Sequence, residues 1–137
     1  MTKEELWDLI TLNNRINSKL KQLENLKYLR EASGSLDYSK DRVQSYPINR
    51  IEKLTIKILD LENEINKDID ELVDMKARAR ECFQLLEGKY NLIMELRYME
   101  CLEWREVARR SYYSEKHVHK IHGQALLLIQ GYKDDTK

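Results

Sequence analysis

From Ile51 onward an apolar or small residue returns at every seventh position: Ile51, Ile58, Ile65, Leu72, Ala79 and Leu86. Leu54, Leu61, Met75 and Cys82 fill the companion place three residues on, and Asp68 alone breaks that series. Strand side chains alternate with a period of two, so a sustained seven-residue repeat excludes a strand and lays one apolar seam along a helix. A helix from Ile48 to Leu86 would reach roughly 55 Å at about 1.5 Å per residue, longer than a compact domain of this mass needs. Another helix must cover its seam. The chain's own first helix can do so by folding back as a hairpin, and so can the same helix of a second copy; the two arrangements are compatible.

Asp68 leaves two arrangements open. A polar residue inside a seam can set register or oligomer state. Alternatively the helix turns locally, Ile69 takes the inward place and Asp68 stays in water. The second is expected, because an unpaired carboxylate in an apolar seam is costly.

Upstream, Thr2 and Glu5 have the spacing of a capping box. Leu6, Leu9, Ile10, Ile16, Leu20, Leu23 and Leu26 then follow at helical steps. The pattern fades at Arg30, and "EASGSLDYSKDRVQSYP" reads as a polar connection in which Gly34 permits a turn. Pro47 suits the first turn of the next helix. Lys40 and Arg42 in that connection are candidates for contact with DNA or a partner, though a simple interhelical loop is the expected reading. The division is a helical arm over 1–86, with helices at about 3–30 and 48–86 and a loop at 31–47. A head over 87–131 and a frayed tail over 132–137 follow.

With one proline, four glycines and one phenylalanine, and with 35% charged residues, the chain is expected to be all-α. No leader-like or membrane-spanning apolar run is present, the longest being "ALLLI", and a cytoplasmic location is expected. Cys82 and Cys101 are too few for a disulfide framework, and reduced structural thiols are expected. Basic and acidic residues balance at 24 each, which says nothing about local charge.

Chemistry concentrates in residues 104–123. "EWREVARRS" makes two turns and "SEKHVHKIHGQALLLI" a longer helix, the outline of a helix-turn-helix. Ala108 is small enough to let the two axes cross closely, with Trp104 and Val107 beside it. Ser114 is a natural cap for the second helix, and Val118 and Ile121 supply its inward face. The outward face is then Ser114, Glu115, Lys116, His117, His119, Lys120 and Gly123, a polar, donor-rich strip that suits a major groove. Arg105, Arg109, Arg110, Lys116 and Lys120 outnumber Glu106 and Glu115 there, so a neutral chain carries a basic patch. His119 and His122 are one turn apart, but no Cys pair or carboxylate stands at ligand spacing, so no metal is assigned. Packing is expected of His122 and nucleic-acid contact of His117 and His119. Binding should then tighten as pH falls through about 6.5. Neither paired carboxylates, nor a glycine-rich phosphate loop, nor a Ser-His or Cys-His pair in suitable context appears, so neither enzyme activity nor a cofactor is expected.

The run "LIMELRYMECLEWREVARRSYYSEKHVHKIHGQALLLI" resembles region 4 of bacterial sigma factors, carried here by Arg97-Tyr98, Trp104, Ala108, Ser114, Val118, Ile121 and Ala125-Leu126. Most of the chain, including "DYSKDRVQSYP" and "RIEKLTIKILDLENEIN", resembles phage regulators of the RinA/ArpU type, which join a helical arm to a sigma-like head. The resemblance implies that Ser114, Lys116, His117, His119 and Lys120 contact DNA, with Arg109 and Arg110 near phosphates. It also implies a role in late phage transcription inside a bacterial host cell. Cys101 and Tyr112 stand where the pattern has glycine, and Glu103 where it has serine. A tyrosine in that turn must either strain it or change its geometry. The expectation is therefore a DNA-binding regulator acting on double-stranded DNA as a homo-oligomer, a dimer favoured, with RNA polymerase a further candidate partner and no membrane. Alternatives are a small DNA-packaging recognition subunit, similar to a small terminase subunit, and a polymerase-binding module without DNA readout.

Overall fold

The computed structural model describes residues 1–38 and 45–135. Among them the regular structure is entirely helical: α1 (Lys3–Tyr38), α2 (Ser45–Phe83), α3 (Lys89–Met94), a π-helical turn (Glu95–Met99), α4 (Trp104–Ser111) and α5 (Glu115–Asp135). None of the described helices is long and apolar enough to cross a membrane.

The Thr2 hydroxyl oxygen accepts the Glu5 N–H at 3.1 Å, which satisfies one orphan donor at the start of α1. The Glu5 carboxylate turns to the Thr2 hydroxyl and to Arg78, 3.6 Å away. α1 does not stop at Arg30. It runs through Gly34 to Tyr38, because extending an existing helix past one glycine costs only about 1 kcal/mol and Ser33 is buried on it. The expected 31–47 connection is shortened from its other end too, since α2 starts at Ser45 and Pro47 lies in its first turn. Lys40 and Arg42 fall outside the described residues. At the other terminus α5 continues through Gly131 to Asp135, where a frayed tail was expected.

The chain divides into two compact units, Met1–Asn13 with Glu71–Lys137, and Asn14–Asp70. Neither boundary falls at the expected junction of arm and head.

Within Asn14–Asp70, Ile16 of α1 and Leu54, Ile58 and Ile65 of α2 are buried. Lys19 Nζ lies 2.7 Å from Asp68 Oδ2 and 3.8 Å from Glu64 Oε2, so here the chain's own first helix meets the seam. The expected local rotation at Asp68 does not occur. The Asp68 side chain is only 14% exposed whereas Ile69 faces solvent. Lys19 supplies the opposite charge that makes the inward carboxylate tolerable.

Within the other unit, Leu6 and Leu9 of α1, Met75 and Ala79 of α2, and Ala125 and Ile129 of α5 are all buried. The seven-residue repeat points to Cys82, but Cys82 is half-buried and Phe83 next to it is fully enclosed. α2 ends at Phe83, so its ring leaves the repeat to meet Tyr98 at 6.0 Å between centroids. The Asn91 side-chain amide donates to the Phe83 carbonyl at 2.8 Å. Gly88 begins α3 with φ 57°, a conformation that costs glycine nothing.

The π-helical turn revises the expected face of Leu92, Ile93, Leu96 and Met99. The Glu100 N–H donates to the Glu95 carbonyl, five residues back. The wider turn allows Leu96, Arg97 and Tyr98 to be buried in succession. Leu92 is exposed, and Met94 lies inside in its place.

Asp68→Leu alone should destabilise the protein by about 1–3 kcal/mol, because it strands the Lys19 ammonium in a partly buried seam. The double variant Lys19→Leu/Asp68→Leu should recover most of that loss. Urea denaturation of the two variants checks this, and an unchanged midpoint for the single variant would refute it.

Candidate nucleic-acid interface

Two inward residues position this surface. Val118 and Ile121 are buried in one cluster with Ile93, Leu96, Val107 and Ala108, and Leu102, Trp104 and Tyr113 pack around its edge. α5 starts where its sequence dictates: the Ser114 hydroxyl oxygen accepts the His117 N–H at 3.1 Å. With Val118 and Ile121 turned in, Ser114, Glu115, Lys116, His119, Lys120 and Gly123 are exposed. His117 is half-buried, its ring 5.0 Å from that of Tyr113. On α4, Arg105, Arg109 and Arg110 are exposed.

The connections that set the crossing hold two residues in left-handed backbone, Cys101 at φ 53° and Tyr112 at φ 64°. These are the two positions at which the resemblance places glycine. Both hold the left-handed conformation that glycine takes without penalty, and here side chains bear the strain. The Tyr112 side chain is 96% exposed and contributes no burial in return. Glu103 makes no side-chain cap to α4, as its carboxylate-for-hydroxyl exchange implied. The Ser111 hydroxyl closes the far end of α4 by donating to the Ala108 carbonyl at 3.2 Å.

The basic patch divides into two kinds of cation. Arg109 grips both carboxylate oxygens of Glu106, its Nε at 2.9 Å from Oε2 and its Nη2 on Oε1. Arg110 donates from Nε to the same Oε1 at 3.1 Å and from Nη1 to Glu100 at 3.4 Å. Hydrogen bonds from Arg109 and then Arg110 hold the Glu106 carboxyl down at about 2, so it is ionised at any working pH. Arg105, Lys116 and Lys120 have no carboxylate partner among the described residues. Of the eight expected residues seven are exposed and His117 is half-buried, and three of the five cations have no carboxylate partner among the described residues.

Behind the surface lies an aromatic and cationic cluster that sequence reading only partly reached. Arg97 is buried, donates to the Leu102 carbonyl at 2.8 Å and sits with its guanidinium carbon 4.5 Å from the centroid of the Trp104 ring. Its Nε has no partner. Trp104 also meets His119 at 4.5 Å and His122 at 4.7 Å, so the exposed His119 is oriented by a fixed wall. The Arg-Tyr pair of the resemblance was the sequence signal for this cluster, but spacing alone could not turn Arg97 inward.

His122 has the packing role expected of it. Its Nε2 lies 2.6 Å from the Tyr98 hydroxyl. Burial above all, then the positive charges of Arg97, His119 and Lys3, lowers the His122 ring to about 4. Burial likewise raises the Tyr98 phenol, so a protonated hydroxyl meets a neutral imidazole, and the ring's tautomer sets which of the two donates. Among the described residues no three His, Cys, Asp or Glu side chains gather closely enough to hold a metal ion.

Tyr112→Gly should stabilise the protein by about 0.5–1 kcal/mol. It removes a left-handed penalty of roughly 1–2 kcal/mol against about 0.4–1 kcal/mol of added chain entropy, which thermal melting can resolve. His122 makes a second expectation. Its folded value lies below the ordinary imidazole value of about 6.5, so the unfolded chain binds the extra proton and stability falls as pH drops from 6.5 towards 4. Allowing for partial solvent access, the loss should be of order 2 kcal/mol. It should vanish in His122→Gln, as melts at pH 7.5 and pH 4.5 would show. No family model, no curated protein and no solved structure matches this chain.

Proposed function

We propose that this protein binds double-stranded DNA, laying the first turns of α5 in the major groove. The observation that carries the reading is the solvent-open strip of Ser114, Lys116, His119 and Lys120 directly opposite the buried Val118 and Ile121. A capped helix, polar outside and anchored by two apolar side chains inside, is the shape that enters a groove. The left-handed residues at Cys101 and Tyr112 support the likeness to sigma region 4, because they keep the turns that the pattern makes with glycine. The resemblance adds the biological reading, regulation of late phage transcription.

The chemistry assigns roles within that surface. Arg105, Lys116 and Lys120, without a carboxylate partner among the described residues, take phosphates or base edges on approach. His119, backed by Trp104, offers a ring of fixed orientation to a base edge. Arg109 and Arg110 reach phosphate only by releasing Glu106, so the carboxylate competes with DNA for them and lowers affinity for any duplex.

Salt dependence tests the reading. With three unpaired cations displacing counterions, log affinity should fall with log salt at a slope of about −3 per head. The five cations of the sequence would give about −4 to −5, reached only if Arg109 and Arg110 exchange Glu106 for phosphate. A slope near zero would refute groove docking. Lys120→Ala or His119→Ala should cost about 1–3 kcal/mol on a preferred site and less on random duplex if the side chain reads a base.

A further inference from the structure

The C-terminal half of α5 carries a feature that DNA binding does not use. Residues 121–132 form the longest stretch of the chain without Asp, Glu, Lys or Arg, in a sequence that is 35% charged. Within it, "GQALLLIQG" (123–131) reads almost the same in both directions about Leu127. Gly123 mirrors Gly131, Gln124 mirrors Gln130, and Leu126 mirrors Leu128. Ala125 and Ile129 face inward and are buried, whereas Leu127 is 70% exposed and Gly123 and Gly131 are exposed on either side of it. Steps of four residues put Gly123, Leu127 and Gly131 on one line of the helix.

The glycines have no reason within the chain. A Cβ at Gly123 or at Gly131 would meet nothing within 4 Å, and neither has positive φ. Glycine inside a helix is destabilising relative to residues with a side chain. Two such positions flanking one protruding leucine describe a ridge between two notches, a form suited to another helix at close range.

We propose that this segment is a twofold contact with the same segment of a second copy, the two α5 helices antiparallel and the axis passing beside Leu127. In an isologous contact each surface meets itself. Antiparallel pairing about Leu127 sets residues equidistant from it against each other, so Gly123 of one chain faces Gly131 of the other at both ends, and Leu126 faces Leu128. The two Leu127 side chains then meet beside the axis, and the glycine pairs at either end let the two backbones approach closely. Charge selects the same occupant: a surface without ionised groups holds no attraction for phosphate or for a charged partner, and no repulsion for its own copy. Lys116 and Lys120 lie along the same line of α5, so a copy seated at Leu127 crowds the groove-binding strip. Dimer and DNA-bound monomer are therefore alternatives.

One helix crossing buries less than a standard interface of about 1,600 Å², so dissociation in the micromolar range is expected. Sedimentation equilibrium of the full chain without DNA, from about 1 to 200 µM, measures it. The wild type should be a dimer with a micromolar constant. Leu127→Glu, which removes an exposed side chain and sets two like charges at the axis, should weaken it at least tenfold with an unchanged circular dichroism spectrum. Gly123→Gln/Gly131→Gln should raise the melting temperature through helix propensity yet also weaken the dimer at least tenfold. That opposition of signs separates an interface from a merely structural role. A wild type monomeric throughout the range, or either variant associating as tightly as the wild type, would overturn the proposal. Because DNA is absent from the measurement, failure of the DNA-binding reading leaves its outcome unaffected.

Discussion

Burial of Val118 and Ile121 against Val107 and Ala108 is the contact on which the candidate surface depends. Each of the larger side chains contributes about 1.5–3 kcal/mol on leaving water, and together they fix the rotation of α5 about its own axis. Once that rotation is set, the helix period leaves no choice about which side chains face out. Ala108 matters by being small, since a larger residue would push α5 away and change the crossing. The polar strip is thus a geometric consequence of an apolar pair.

So small a head needs more core than its own helices supply. Its compact unit takes in Met1–Asn13 and the end of α2, with Leu6, Leu9 and Phe83 fully enclosed. Residues that look like part of an extended arm therefore support the head. The strained backbone at Cys101 and Tyr112 persists for the same reason: packing on both sides of each turn over-determines its path, and the local penalty is small beside the burial that would be lost.

Charge is organised on a finer scale than composition suggests. Glu106 and Glu100 neutralise two arginines on α4, whereas Arg105, Lys116 and Lys120 have no carboxylate partner among the described residues. The proposed affinity for nucleic acid depends on that local sorting. Behind it, Trp104 joins the exposed His119 to the enclosed Arg97 and His122, so one imidazole meets solvent while its neighbour one turn on is held neutral by burial.

Several features were legible in the chain itself. The seven-residue repeat marked α2 and its inward face, Thr2 and Ser114 marked two helix starts, and Val118 and Ile121 marked the anchored side of α5. These signals are local, arising from spacing along one helix or from one side chain beside one backbone group. Other features lay beyond local reasoning. The passage of α1 through Gly34, the inward Asp68, the π-helical turn and the enclosure of Phe83 each needed a partner distant in sequence, namely the rest of a seam, Lys19, a packed head, or Tyr98. By itself the sequence determined that the chain is helical and which face of each long helix is apolar, because periodicity is a property of neighbouring residues. Which charges are paired, which histidine is neutral and where the backbone is strained were decided only by tertiary structure, because they depend on groups brought together from separate helices.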